Sequence, residues 1–409
     1  MSPRVLILDA SERSALAFIR SLGRKGIEII AGDSSKLTTG QLSRYVKKRL
    51  LYPSPEESWS KFIKFIIKIL SKGNYDLLIP ISEFTITIIS YHKEELEDYT
   101  IVAAPDYNLY IKTYDKAKTI QHARKHEIPH PKTFIPQDPS ELKEIAKEIT
   151  YPAVIKPRRK TYWHNDKAKV LKVTQRNYAN SPEDLVRKYS KILQENKELI
   201  NLNLLPMIQE YIPGSTYGYE ALLNYGQIKA YFMHKRLAEY PTTGGASTLR
   251  ESTYHPTIAK IGAYTLQTLK WHGLAMAEFK LDPRDRTPKL IEINGRPWGS
   301  LPLAITAGVD FPYLLYKMFI YGDVEEVYSY KVGVKQKWLI PGHILWFYAS
   351  IKDGRNTMNI LKEFIKSLAY PDDIIDLKDP LPALGALKVT LQLLWDVVKG
   401  YRKITGEMR

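Results

Sequence analysis

The 409-residue chain contains no cysteine, which excludes disulfides, thiolate metal sites and a cysteine nucleophile. This absence fits a reducing compartment, so we expect a cytoplasmic protein. The first 15 residues lack the long apolar stretch of a secretory signal. No charge-free apolar run approaches the ~20 residues that a membrane span requires.

Acidic residues are also fewer than basic ones. The chain has 60 Lys and Arg against 44 Asp and Glu, giving a formal net charge of +16. Such a balance fits a polyanionic partner (nucleic acid, an acidic membrane or phosphorylated substrates), or a solvated lysine-rich surface. The basic residues are spread along the chain without a nucleic-acid motif, which argues against nucleic acid as the partner.

The length and composition indicate a globular protein of several domains. Hydrophobic residues make up 44% of the chain and charged residues 25%, and 409 residues exceed what one core usually serves. We expect an α/β protein with four parts, which are residues 1–105, 106–208, 209–325 and a mostly helical extension over 326–409.

Residues 1–105 alternate between apolar strands and amphipathic helices, which predicts an open, mostly parallel sheet. The predicted strands are 5–8, 27–32, 76–82 and 100–104, and the predicted helices are 14–26 and 59–73. No G-x-G-x-x-G follows the first strand, so a dinucleotide site is not expected there. Asp9 and Asp33 follow strand ends, where they would contact a ligand or cap a helix.

The next part carries helices and strands in mixed order. The predicted elements are helix 113–128, strand 151–157, strand 169–175, helix 183–199 and strand 205–212. Near the C-terminus, a helix that is apolar on much of its surface ends in basic residues. It either docks on the core or attaches to an acidic membrane surface.

The segment 275–300, AMAEFKLDPRDRTPKLIEINGRPWGS, is the most informative of the chain. Two apolar strands flank a turn, and period two places Glu292 and Asn294 on one face. If the strands form a hairpin, Glu278 can face Glu292. Two unpaired carboxylates ~4 Å apart repel by roughly 4 kcal/mol. A hard cation such as Mg²⁺, shared with substrate phosphates, would remove that cost.

Three other segments carry side chains or backbone suited to a nucleotide. Lys156 ends a buried strand and precedes the basic cluster 158–160, a natural phosphate contact. QEYIPG (209–214) joins a strand to a turn, and a base could bond there to backbone groups. HKRLAEYPTTGGAST (234–248) combines basic residues with glycines that allow close approach of an anion, although a plain surface loop would look the same.

In this order, the segments resemble the ATP-grasp superfamily, from VLILDA to GVDFPYLL (308–315). YPAVIKP, QEYIPG, TTGGAST, GLAMAEFKLD and IEINGRPWGSLPLAITAGVDFP look closest to the ATP-grasp carboxylate–amine ligases, relatives of the ATP-binding domains of carbamoyl-phosphate synthetase and biotin carboxylase. The resemblance implies a Rossmann-like pre-ATP-grasp domain (1–105), a lid subdomain with its connecting helix (106–208) and a metal and nucleotide subdomain (209–325).

The resemblance also assigns roles to matched positions. ATP phosphates would be held by Lys116, Lys156 and Arg158. The adenine hinge would be Gln209, Glu210, Tyr211 and Ile212, with Glu220 near the ribose or the metal. Two Mg²⁺ (or Mn²⁺) ions would be bound by Glu278, Glu292 and Asn294. The reacting carboxylate or acyl phosphate would be bound by Arg296, helped by Lys235 and Arg236.

The implied activity is ATP-dependent ligation of a small carboxylate to an amine through an acyl phosphate. The family's glycine-rich flap is replaced by the glycine-free segment RRKTYWHND (158–166). An alternative is therefore a catalytically altered, ATP-binding regulatory protein, and a nucleic-acid-binding protein using the basic surface is a second. The sequence does not identify the substrates or the oligomeric state.

Overall fold

An open parallel sheet forms the N-terminal part of the protein. The computed structural model describes residues 3–171, 173–242 and 244–399. The sheet contains β1 (Arg4–Ile7), β2 (Glu28–Asp33), β3 (Val46–Leu51), β4 (Leu77–Ile79) and β5 (Ile101–Val102), in the order β3-β2-β1-β4-β5. Its helices are α1 (Arg13–Gly23), α2 (Trp59–Leu70), α3 (Glu83–Tyr91) and α4 (Lys93–Glu97). The predicted alternation and parallel sheet are confirmed.

The sequence pattern did not predict α3, because its β-branched residues are more typical of a strand. The helix forms because Ser82 caps it, accepting a bond from the Thr85 amide. Asp9, at the end of β1, accepts bonds from the Ile81 amide (3.1 Å) and the Ser82 amide (2.7 Å). Asp9 therefore fixes the start of α3 rather than capping the helix that follows its own strand.

Two helices, not one, connect the sheet to the next part. They are α5 (Tyr107–Tyr114) and α6 (Lys116–Lys125), so the predicted single helix over 113–128 is wrong. The break is at Asp115, whose backbone is extended and whose carboxylate accepts a bond from the Ala117 amide (3.0 Å). The buried carboxylate also pairs with Arg158 (2.9 Å) and Arg159 (3.4 Å).

A small antiparallel sheet follows. It contains β6 (Thr133–Phe134), β7 (Ala153–Lys156), β10 (Tyr178–Ala179) and β11 (Met207–Glu210), in the order β10-β7-β11-β6. The helices of this part are α7 (Leu142–Glu148), α8 (Pro182–Glu195) and α9 (Glu198–Asn201). Apolar residues of α7 and α8 pack on the sheet in a core of their own.

A separate hairpin, β8 (Thr161–His164) and β9 (Lys167–Val170), occupies the position of the expected flap. It is tied to the N-terminal part. The Trp163 indole donates to the Pro55 carbonyl (3.2 Å), and Asp166 accepts from the Ser58 hydroxyl (2.5 Å) and the Ser60 amide (2.9 Å). The predicted strand 169–175 ends early, at Val170, and pairs with β8.

The largest sheet is antiparallel. Its strands are β12 (Thr216–Asn224), β13 (Gln227–Tyr240), β14 (Ala246–Ser252), β15 (Gly273–Leu281), β16 (Pro288–Asn294) and β17 (Lys335–Lys337), in the order β16-β15-β12-β13-β14-β17. The helices around it are α10 (Pro256–Thr268), α11 (Leu301–Ala307) and α12 (Phe311–Tyr321). One face packs on α10, while the other contributes to the core shared with α11 and α12.

The C-terminal region adds β17 to this sheet, so it is not helical throughout. It continues with a turn over Leu339–His343 and with α13 (Ile344–Lys352), α14 (Thr357–Leu368) and α15 (Pro382–Val398). No single helix of the described residues is long and apolar enough to cross a membrane. Together α11 and α12 pass that test by length and composition, although they are bent by 93°.

We expect Asp115→Ala to lower the free energy of unfolding by about 3–5 kcal/mol, because two arginines lose a buried carboxylate partner. Urea unfolding of the full chain would measure this change. The control is Glu144→Ala, which removes an exposed ion pair with Lys147 and should change stability little. Equal effects of the two substitutions would contradict a special role for Asp115.

Candidate active site

The predicted carboxylate hairpin is present. β15 and β16 pair antiparallel with Glu278 opposite Glu292 and Met276 opposite Asn294. Because side chains alternate along a strand, Glu278, Glu292 and Asn294 lie on one face. Gly295, between Asn294 and Arg296, is required by close packing, since a Cβ there would lie 2.5 Å from both the Thr113 hydroxyl and the Trp271 ring.

Each carboxylate has a cationic partner, which offsets the repulsion between them. Arg236 of β13 contacts Glu278, and the Lys116 ammonium at the start of α6 lies 3.0 Å from Glu292. Lys116 holds the pKa of Glu292 well below its usual range. Burial raises the pKa of Glu278, although Arg236 acts in the opposite direction. The two glutamates are therefore electrostatically distinct.

Lys156 completes this charged cluster at the end of β7. Its ammonium donates to the Gln209 side-chain carbonyl (2.6 Å), and the Gln209 amide donates to the Thr133 hydroxyl (2.9 Å). Burial lowers the pKa of Lys156 to about 8, and the charge of Lys116 acts in the same direction. Lys156 is thus a positioned cation whose proton is held less tightly than usual.

The predicted hinge, residues 209–212, leads from β11 towards β12. Glu210 accepts a bond from the Lys132 amide (3.1 Å), and the Ile212 carbonyl accepts one from the Lys280 ammonium (2.9 Å). Tyr211 is partly exposed and meets Tyr178 edge to face, with 5.9 Å between ring centroids. The buried side chain of Gln209, which we predicted as part of the adenine hinge, holds Lys156 in place, and the sequence did not predict that contact.

Arg296 follows β16, and its positive charge remains available to a substrate. Its guanidinium donates to the Pro297 carbonyl (3.0 Å). Within the described parts of the chain, no carboxylate lies within 4.0 Å of it. An arginine in this position suits the recognition of an anionic substrate group.

Two of the predicted site residues, Lys235 and Arg158, are not brought to this face. Glu220 lies on it by register, since it is opposite Met276, which is itself opposite Asn294, but its side chain is enclosed. Lys235 and Arg236 are neighbours on one strand, so they point to opposite faces, and Lys235 lies 5.7 Å from the Tyr217 ring centroid. Glu220 is fully buried, 3.0 Å from the Ser300 hydroxyl and 2.8 Å from His234. Arg158 is engaged with Asp115. The alternation of side chains along a strand already indicates that Lys235 and Arg236 cannot both face the site.

The structure adds Glu83, which we did not select from the sequence. This residue begins α3. Burial lowers the pKa of Lys116, but the negative charges of Glu292 and Glu83 outweigh that effect, so the pKa of Lys116 is raised. One Glu83 carboxylate oxygen is buried without a hydrogen-bond partner among the described residues. Its position shortly after β4 could have identified it in the sequence, since ligands bind near the carboxyl ends of parallel strands.

The face fits a magnesium site completed by phosphates. No group of three or more His, Cys, Asp or Glu side chains suited to a metal occurs in the described parts of the chain. Glu278, Glu292 and Asn294 instead offer two carboxylates and one amide oxygen. Mg²⁺ is usually bound by one or two carboxylates together with substrate phosphates, so the residues present suit that ion.

Comparisons with known proteins agree with this geometry. Residues 206–339 match a family described as ATP-grasp in the biosynthetic pathway with Ter operon. The D-aspartate ligase of Enterococcus faecium (strain Aus0004) is 24% identical over an alignment of 351 residues, and the match covers 78% of this chain and 77% of that protein.

Solved structures share the fold. One is the biotin carboxylase domain of Hydrogenobacter thermophilus 2-oxoglutarate carboxylase, crystallised with MgADP, ADP and bicarbonate (TM-score 0.65, 16% identity, 82% of this chain and 73% of that chain). Another is the L-amino acid ligase of Bacillus licheniformis (TM-score 0.60, 15% identity, 79% and 75%). The chain therefore has the ATP-grasp fold, and its resemblance to the ATP-grasp ligases is confirmed.

Proposed function

We propose that the protein is a Mg-ATP-dependent ligase that joins a carboxylate to an amine through an acyl phosphate. The observation that carries this proposal is the pairing of Glu278 with Glu292 on a face that also holds Lys116 and Lys156. The similarity to a D-aspartate ligase and an L-amino acid ligase supports the same class of reaction.

The two lysines suit the phosphate side of the reaction. Phosphoryl transfer needs positioning and charge neutralisation more than covalent help from the protein. Lys156 is oriented by Gln209 and Lys116 by Glu292, so both ammonium groups are held in place before substrate arrives. Such preorganised cations favour negative charge that develops on the transferred group.

The metal would be held by Glu278, Glu292 and Asn294. Mg²⁺ (or Mn²⁺) bound there would neutralise phosphate charge and orient the phosphates for transfer. Arg236 and Lys116, which contact these carboxylates, keep the two acidic groups close together on one face.

Arg296 would bind the reacting carboxylate. A carboxylate oxygen attacks the γ-phosphorus, the bond from that phosphorus to the ADP oxygen breaks, and ADP leaves. The amine then attacks the acyl carbon, phosphate leaves with the former carboxylate oxygen, and the amine loses a proton.

A second candidate is a nucleotide-binding protein without turnover. The glycine-free hairpin β8–β9 favours it, because Trp163 and Asp166 tie that hairpin to residues 55–60. A screen for ADP release over pairs of amino acids and small carboxylates separates the candidates. Release that depends on both substrates supports a ligase, while nucleotide binding without release supports the second candidate.

The acyl phosphate predicts a transfer of oxygen. With a substrate carboxylate labelled with ¹⁸O, we expect one labelled oxygen in the released phosphate, because the attacking oxygen stays on phosphorus. Mass spectrometry of the phosphate would measure it. Unlabelled phosphate accompanying a formed amide would contradict this route.

Glu292→Ala and Lys156→Ala should each lower Mg-dependent ATP turnover by roughly 10²-fold or more. The first removes a proposed Mg²⁺ ligand, and the second removes a cation that would face the phosphates. A coupled ADP assay measures the rate, and thermal unfolding checks that the fold is kept. Glu144→Ala, at an exposed ion pair, is the control and should retain activity. Unchanged turnover in both site variants would overturn the assignment.

The affinity for MgATP should fall as pH rises above about 8, where Lys156 loses its proton and with it the attraction to phosphate. Titration calorimetry between about pH 7 and pH 9.5 would measure the slope. Lys156→Arg stays charged throughout this range, so its affinity should vary much less with pH. The same slope in both proteins would show that another group titrates.

A further inference from the structure

The last described helix, α15, presents an apolar stripe to solvent. Leu384, Leu387, Leu391 and Trp395 recur at helical spacing, and each side chain is between 46% and 59% exposed. Residues three and four positions apart share a face of a helix, so the four form one continuous strip. Contiguous exposed apolar patches of sufficient size mark interaction sites.

The opposite face of α15 docks on the protein. At Gly385 a Cβ would lie 2.7 Å from the Thr39 Cα, so the helix touches the N-terminal backbone there. Ala386 is buried in a cluster with Leu16 and Ile374, and Leu393 packs on the cluster that includes Ile360. Docking on the core therefore uses the inner face and leaves the outer stripe free.

Helix α14 repeats the arrangement. Its exposed apolar side chains are Met358, Leu361, Ile365 and Leu368. Ile360 and Phe364, on its inner face, belong to the cluster on which Leu393 packs, so both helices pack on the same apolar core. More than half of the exposed Leu, Ile, Val, Met and Trp side chains of the described residues fall between positions 358 and 395.

The charges around the stripes are mainly basic. Lys388 and Lys399 follow Leu384 and Trp395 by one helical turn, and the Lys399 ammonium lies 4.9 Å from the Trp395 ring centroid. Lys362 and Lys366 are exposed on α14.

Two of the nearby acidic groups are turned inward, while Glu363 of α14 is exposed. Asp379 is buried and bonded to Arg20 (2.9 Å), while Asp373 is buried against Arg13 (2.8 Å) and Arg250. Because these carboxylates are neutralised within the protein, the lysines dominate the charge of the outer surface.

We propose that the α14–α15 surface, residues 357–399, attaches the protein peripherally to an anionic lipid bilayer. Apolar side chains bordered by lysines and a tryptophan match the boundary between acyl chains and negative headgroups. Charge complementarity favours a lipid surface over a second copy, because a second copy would bring the same lysines into contact. The proposal does not depend on the ligase assignment.

Sedimentation of the full chain with vesicles tests the proposal. We expect binding to phosphatidylcholine vesicles that contain about one third phosphatidylglycerol, weaker binding at about 0.5 M NaCl, and little binding to phosphatidylcholine alone. The triple variant Leu384→Ser, Leu391→Ser, Trp395→Ser should reduce binding at least about tenfold. Lys388→Glu with Lys399→Glu should reduce binding to the anionic vesicles as well.

The control replaces Ile200, Leu202 and Val332, which are exposed elsewhere, with Ser and should bind like the unchanged protein. Thermal unfolding checks that all variants fold. Absence of binding to anionic vesicles, or equal binding by the triple variant, would overturn the proposal. Self-association that the triple variant abolishes, without vesicle binding, would assign the stripe to a second copy and equally overturn it.

Discussion

Two carboxylates facing each other on neighbouring strands are the constraint on which the site depends. Glu278 and Glu292 are opposite by register, and at an effective dielectric of 20 such a pair costs roughly 4 kcal/mol if nothing compensates. The chain compensates with Arg236 from β13 and Lys116 from α6. The carboxylate pair suits a divalent cation, and it is also surrounded by the cations Arg236 and Lys116. With Lys156 at the end of β7, these positive charges suit a nucleoside triphosphate.

Asp115 sets the position of Lys116. Its extended backbone ends α5 and its carboxylate caps α6, so Lys116 becomes the first residue of a new helix. The same carboxylate neutralises Arg158 and Arg159. A basic cluster that looked like a phosphate contact in the sequence therefore serves in part to fix the connection between the helices and the small sheet. A buried carboxylate with two cationic partners has a depressed pKa despite its burial.

Arginine–aspartate pairs join the two ends of the chain. Arg13 and Arg20 of α1 bind Asp373 and Asp379, more than 300 residues later. These pairs orient the segment between α14 and α15 so that Asp373 and Asp379 face inward. One consequence is structural, since the C-terminal region is held against the N-terminal sheet. The other is that the outward surface keeps its lysines and apolar side chains.

The amino-acid sequence is enough to predict the alternation of strands and helices in the first 105 residues, the hairpin, and the common face of Glu278, Glu292 and Asn294, because these follow from local periodicity. It also carried the ATP-grasp resemblance. The break at Asp115 and the burial of Glu220 emerge only from the tertiary structure. The tertiary structure also paired each carboxylate with a cation. Such pairings join residues far apart in the chain, and local patterns carry no information about contacts at that range.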